Sequence, residues 1–163
     1  MALIVGVAAI TLIVAAALSM WLSSINSLYI PSVSNIRTVG VKAFWDINLA
    51  NEIEEIQWGT IYAGESKNVS IYLKSVSNVE TTLEIEATNW TFRSSDNSIV
   101  QGPSEVSLYL TLTWDYNNVE VAPSEAIYVT LTLSADGSST FIQFLADNKV
   151  DQFSFDITIR SVE

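Results

Sequence analysis

The chain has 163 residues, of which 49% are hydrophobic and only 15% charged, and its formal net charge is −11. A typical soluble domain carries about a quarter charged residues; here Ser, Thr and Asn, 45 residues together, supply the polar surface instead. The acidic balance and the lack of any basic tract argue against nucleic acid as a partner. The absence of Cys excludes disulfides and thiolate chemistry, and the absence of His removes the commonest general base and transition-metal ligand.

The charges are unevenly placed. The first charged side chain is Arg37 and the first acid is Asp46, so the chain divides into an uncharged N-terminal arm and an acidic remainder. From Ala2 to Leu22 only Thr11 and Ser19 interrupt an apolar run, and ten of these residues are Leu, Ile or Val. As a helix the run is about 31 Å long, enough to cross a bilayer. Leaving its aliphatic side chains in water costs on the order of 15–30 kcal/mol. Three readings of the arm compete. A cleaved secretory signal has a basic start and a shorter apolar stretch. A plain membrane anchor is usually flanked by Lys or Arg. A mature N-terminus packed in a helical bundle needs neither, and Gly6, Ala8, Ala9 and Ala15 to Ala17 allow close helix approach. The third is favoured, which places a helix over residues 1–30, ended by Pro31, a linker over 31–36 and a separate head over 37–163.

From Arg37 onward period-two alternation dominates. Val39, Val41 and Ala43 alternate with Gly40 and Lys42; Val69, Ile71 and Leu73 with Ser70 and Tyr72; Leu83, Ile85 and Ala87 with Glu84 and Glu86. The run Val106, Leu108, Leu110, Leu112, Trp114 and the run Ile127, Val129, Leu131, Leu133 behave alike, as does Phe153, Phe155, Ile157, Ile159. The apolar stretch Ile53 to Trp58 makes a seventh strand. With turn signals at Ala63-Gly64, Ala122-Pro123-Ser124 and Asp136-Gly137, this predicts a mainly β chain: an immunoglobulin-like antiparallel sandwich of about seven strands behind a long hydrophobic helix. Phe141 to Asn148 fits either a short helix or a bulged strand. Trp58 with Ala63-Gly64, and Trp114 with Ala122-Pro123, read as two similar hairpin corners.

No motif for catalysis stands out, and no enzyme, cofactor or metal is expected. Glu54 and Glu55 are adjacent and Glu84 and Glu86 share a wet face, so solvated surface outweighs acid–base chemistry for both pairs. Asp147, Asn148 and Asp151 are oxygen donors that match no complete calcium loop. Trp45, Trp58, Trp90 and Trp114 would be the candidates for a carbohydrate platform, but Trp114 sits on an inward register and reads as core, which weighs against a ligand role for the set. Two Asn-x-Ser/Thr triplets, Asn68-Val69-Ser70 and Asn89-Trp90-Thr91, are glycan acceptors if the head is exported.

The segments Phe44-Trp45-Asp46, Ile56-Gln57-Trp58-Gly59-Thr60, Ala63-Gly64-Glu65-Ser66-Lys67-Asn68-Val69, Thr88-Asn89-Trp90, Leu112-Thr113-Trp114 and Phe153-Ser154-Phe155-Asp156 resemble, in this order, a set of archaeal surface proteins with a hydrophobic N-terminus and one β-sandwich. Relatives in that set often carry a Cys shortly after the Trp-Asp pair; this chain has none. Arm and head together look like an archaeal type IV pilin. The resemblance implies an extracellular, cell-surface filament serving adhesion or motility. Its subunits are membrane-inserted before assembly and polymerise with many copies of themselves. The assembly face would include Leu3, Ile4, Val7, Ile10, Ile13, Val14, Ala17, Leu18 and Trp21. The head is also similar to archaeal thread and bundling-pilus subunits, which donate a strand to a neighbour's sheet; in that alternative the arm is a removed signal peptide. A membrane-anchored surface binding module is the other alternative.

Overall fold

The computed structural model describes residues 29–162; the expected helix up to Leu28, with its assembly residues, lies outside them. Among the described residues nine strands form two sheets in the order β3-β1-β9-β5-β6 and β2-β4-β8-β7. The strands are β1 (Tyr29–Val39), β2 (Val41–Phe44), β3 (Glu55–Tyr62), β4 (Ser66–Ser75), β5 (Thr82–Ser94), β6 (Ile99–Val100), β7 (Leu110–Trp114), β8 (Ala126–Ala135) and β9 (Val150–Val162). One helix, α1 (Ser139–Asp147), joins β8 to β9. The two inner faces share a single apolar core, including Ile56, Ile71, Leu83, Phe92, Leu131, Phe155 and Ile157. The chain is therefore mainly β and a sandwich. Among the described residues no helix is long and apolar enough to cross a membrane.

β1 differs most from expectation. Residues 31–36, expected as a linker, lie inside it, and so do Tyr29 and Ile30 from the expected helix. Period-two reading misses this strand because its inward positions are Ile30, Ser32, Ser34 and Ile36, so half of its buried face is hydroxyl. β1 is nevertheless central. It pairs antiparallel with β3 from Tyr29↔Tyr62 to Asn35↔Glu55 and parallel with β9 from Ser32↔Phe153 to Val39↔Arg160. Pro31 is tolerated because it pairs only with Thr60 on β3, ahead of the β9 ladder.

At Gly40 the chain leaves one sheet for the other. Its φ is +73°, and a Cβ there would lie 1.9 Å from Ser161 Oγ, so only glycine fits. The kink breaks the phase of the alternation on its two sides: Val41 and Ala43 are buried, but Val39 is 62% exposed. A second interruption is the single 3₁₀ turn Val106–Leu108, where a strand was expected; Leu108 is exposed there and β7 starts only at Leu110. The two corners read as alike also differ. β3 and β4 lie in different sheets, whereas β7 and β8 are neighbours in one. The ambiguous segment is helical, since Phe141 and Leu145 turn inward at i, i+4 and Ser138 Oγ caps the first turn by accepting from Phe141 N.

A head boundary at Arg37 cuts β1 and strips both its ladders of most of their residues. A fragment of residues 29–163 is expected to unfold in one cooperative transition by circular dichroism. A fragment beginning at Arg37 is expected to lack it, because β3 and β9 then face each other across an empty strand position. Equal cooperativity in the two would show that β1 is dispensable.

Candidate functional site

In sequence the apolar arm runs directly into β1. Its two inward serines are not equivalent. Ser34 Oγ accepts from Trp58 Nε1 at 3.0 Å in a buried position. Ser32 is 1% exposed, and its Oγ has no hydrogen-bond partner. The β1–β3 register slips between Ser32 and Val33, where Trp58 is the extra residue of β3, and this irregularity aims the indole across β1. The Trp58 ring then packs near Phe155, 6.4 Å between centroids, and Phe155 stacks on Trp90 at 4.2 Å and 15°.

On the outer side of the same sheet Asp156 of β9 sits between two amides. Asn35 Nδ2 of β1 donates to Oδ1 at 3.3 Å, and Asn89 Nδ2 of β5 donates to Oδ2 at 2.8 Å. Asn89 occupies a left-handed backbone (φ +55°) in the bulge where β5 slips against β9.

Of the two sequons, then, Asn89 is exposed but held by a carboxylate. Asn68 is exposed in β4, opposite Thr132 of β8. The acids behave as surface. Glu54, Glu55 and Glu86 are exposed, and Glu84 is paired with Arg160 at 2.9 Å. Asp147 receives Gln143 Nε2, and the Asn148 side-chain amide donates to Phe144 O, so these two close the end of α1. Among the described residues no three Asp or Glu side chains gather as a metal site. The tryptophans are dispersed: Trp58 is buried, Trp90 and Trp114 are half-buried, and Trp45 is 45% exposed. A cleft of about 230 Å³ at the end of the sandwich opposite Tyr29 is lined by Asp115, Tyr116, Glu120, Glu125 and Tyr128. Two of its carboxylates are committed to the backbone: Asp115 accepts from Thr130 N and Glu125 from Ala122 N, both at 2.8 Å.

No family model matches the sequence, and no curated protein matches it. Among solved structures, PapD-like domain 7 of human CEP192 aligns over 85% of this chain and 87% of that domain, at 6% identity and a TM-score of 0.35. A likeness of that score decides nothing, and the sandwich rests on its own ladders.

Sequence reasoning overlooked β1, Ser32, Ser34 and the Asn35–Asp156–Asn89 link. The only local signal was the alternation Ile30, Ser32, Ser34, Ile36, which is legible once serine is allowed an inward position.

The two serines make opposite predictions. Ser34→Ala orphans the buried indole N–H and should cost about 1–3 kcal/mol of stability. Ser32→Ala removes an unpaired hydroxyl and should be neutral or stabilising by up to about 1 kcal/mol. Urea titration of both variants reads the difference; equal losses would mean that the indole contact is not what holds β1.

Two exposed loop acids contribute to the acid response. Asp46 is held below the usual carboxylate value of 3.8 chiefly by the backbone N–H of Asn51, opposed next by partial desolvation and helped further by the Ala50 N–H and the Asn51 amide. Asp96 is lowered chiefly by the Ser94 hydroxyl and by Ser98 N. Because both folded values lie below the unfolded ones, their stabilising effect is complete above pH 3.8 and is lost as pH falls through the folded values. The acid limb of stability should therefore flatten below pH 3.8 in Asp46→Asn relative to the parent chain. Superimposable limbs in a pH series of melts would count against the loop's carboxylate.

Proposed function

We propose that this chain is the structural subunit of an archaeal extracellular filament. It polymerises through its apolar N-terminal arm, with the β-sandwich on the filament surface serving adhesion or motility. The observation that carries the reading is the completeness of the head. Both sides of β1 are paired within one chain, so the sandwich needs no strand from a neighbour. The arm, joined directly to that central strand, is left as the part whose surface must be buried elsewhere. Bundled helices satisfy their own backbone hydrogen bonds and bury side chains on every face. A head-to-tail contact repeated without closure makes a fibre.

A second reading is favoured by one specific feature. β1 is N-terminal, central and the least apolar strand on its inner face, with Ser32 unpaired. It is thus the strand whose replacement by a neighbour's copy would disturb the core least, giving strand-donated assembly instead.

Val14→Lys separates the two. In the helix-core reading Val14 shares a helical face with Val7 and Ile10, and an unpaired buried charge there costs several kcal/mol in every subunit. Fibres seen by electron microscopy of shed surface material should then disappear while the head stays folded. Normal fibres from this variant would refute the helix core and favour strand donation. Folded chain kept in the membrane, with no fibres even from the parent, would favour an anchored binding module.

A further inference from the structure

The outer faces of the two sheets surround their Asn-x-Ser/Thr triplets differently. Outward residues of β4, β8 and β7 form rows by register: Ser66 beside Ser134, Asn68 beside Thr132 with Thr113 on its far side, and Ser70 beside Thr130. Ser66 Oγ and Ser134 Oγ lie 2.8 Å apart, and Ser70 Oγ and Thr130 Oγ1 3.3 Å apart. The next row is Tyr72 and Tyr128, with ring centroids 4.9 Å apart at 55° and Tyr128 58% exposed. On a chain of net charge −11, the rows of Ser66 and Asn68 hold no charged side chain, and the carboxylate that adjoins the Ser70–Thr130 row is Asp115, whose Oδ1 is taken up by Thr130 N at 2.8 Å. Asn68 stands within them. The β2 ladder reaches only Tyr72 to Ser75, so at Asn68 strand β4 has a neighbour on one side alone.

The geometry points to Asn68, and not Asn89, as the attachment point of a neutral N-linked oligosaccharide that lies down along this hydroxyl face toward Tyr128. The inference rests on export of the head under the filament reading. In the transfer, Asn68 Nδ2 attacks the anomeric carbon of a polyisoprenyl-phosphate-linked oligosaccharide. The new N–C bond forms as the C–O bond to phosphate breaks. The phosphate leaves with that electron pair, and Nδ2 gives up one proton. Ser70, the sequon hydroxyl, is on the same face two residues on. Hydroxyls and a side-chain amide meet sugar hydroxyls as both donors and acceptors, and a half-exposed tyrosine offers an apolar ring to a sugar's C–H face. At Asn89 the same product is obstructed. One amide proton is held by Asp156 at 2.8 Å, and the middle residue of the sequon, Trp90, is stacked on Phe155. A sugar there would crowd a carboxylate that also binds Asn35.

The test is tryptic peptide mapping of the chain purified from the cells that make it. The peptide from Asn68 to Lys74 should carry hexose-type mass with its unmodified form absent, and the peptide from Ser75 to Arg93 should run at its polypeptide mass. Ser70→Ala should abolish the modification and Ser70→Thr should keep it. An unmodified Asn68 peptide, or equal modification of Asn89, overturns the inference. Fibres built from unmodified chain overturn it alone and leave the filament reading standing; a modified chain that forms no fibres does the reverse.

Discussion

One constraint organises the head: the strand nearest the arm has to satisfy hydrogen-bonding groups on both its edges at once. Buried backbone donors and acceptors are costly to leave unpaired, and β1 meets the demand with β3 on one side and β9 on the other. The β9 pairing is parallel, the only such ladder among the named strands. It brings the first and last described strands side by side, so the sheet closes only when nearly the whole chain is present. Gly40 then moves the chain to the other sheet within one residue, and the close approach of Ser161 ties that crossing to the end of β9. Pairing, parallel register and sheet switch are consequences of the same placement.

Side-chain chemistry follows from that backbone arrangement. The bulge that admits Trp58 lets its indole reach Ser34 across the strand, and the indole packs near Phe155, which in turn stacks on Trp90, itself packed near Phe153. Aromatic pairs of this kind add roughly 0.5–1.5 kcal/mol each beyond their burial, so the inner face of the five-stranded sheet is held by rings on β9, β5 and β3. β1 contributes little apolar surface of its own. It is kept in place by its neighbours' hydrogen bonds and rings more than by what it buries.

This explains which parts were legible in the sequence. Strands whose inward positions are aliphatic or aromatic, such as Val129, Leu131 and Leu133 in β8 or Phe153 to Ile159 in β9, announce themselves by period two because burial and alternation coincide. β1 did not, since Ser32 and Ser34 turn inward while Val33 and Val39 do not. At Gly40 and at Val106–Leu108 the letters alternate but the backbone does not continue, so residues of one apparent run fall in different environments. The same limit applies to the sequons. The triplets around Asn68 and Asn89 are equivalent as text, and they become different only when the fold lays Asp156 against one and a row of hydroxyls against the other.

The two modes of assembly differ in where their free energy comes from. Passing β1 from its own sheet to a neighbour's exchanges one pair of ladders for an identical pair, as in any domain swap. The exchange supplies no net stabilisation by itself. The ten Leu, Ile and Val of the arm are another matter, because their removal from water is worth on the order of 15–30 kcal/mol. That term is present only where the arm is retained. Burial of the arm therefore drives the helix-core mode alone, while strand donation, with the arm removed, has only the exchange of ladders to draw on. With β1 at home, heads are joined through their arms alone and each sandwich is free to face solvent independently. With β1 donated, successive sandwiches share a sheet and their orientations are locked. A head whose central strand already fits, with Trp58 on Ser34 and β9 in register, has nothing to gain from leaving that state. Under the proposed filament reading, the physical balance therefore favours arms that bundle and heads that stay whole.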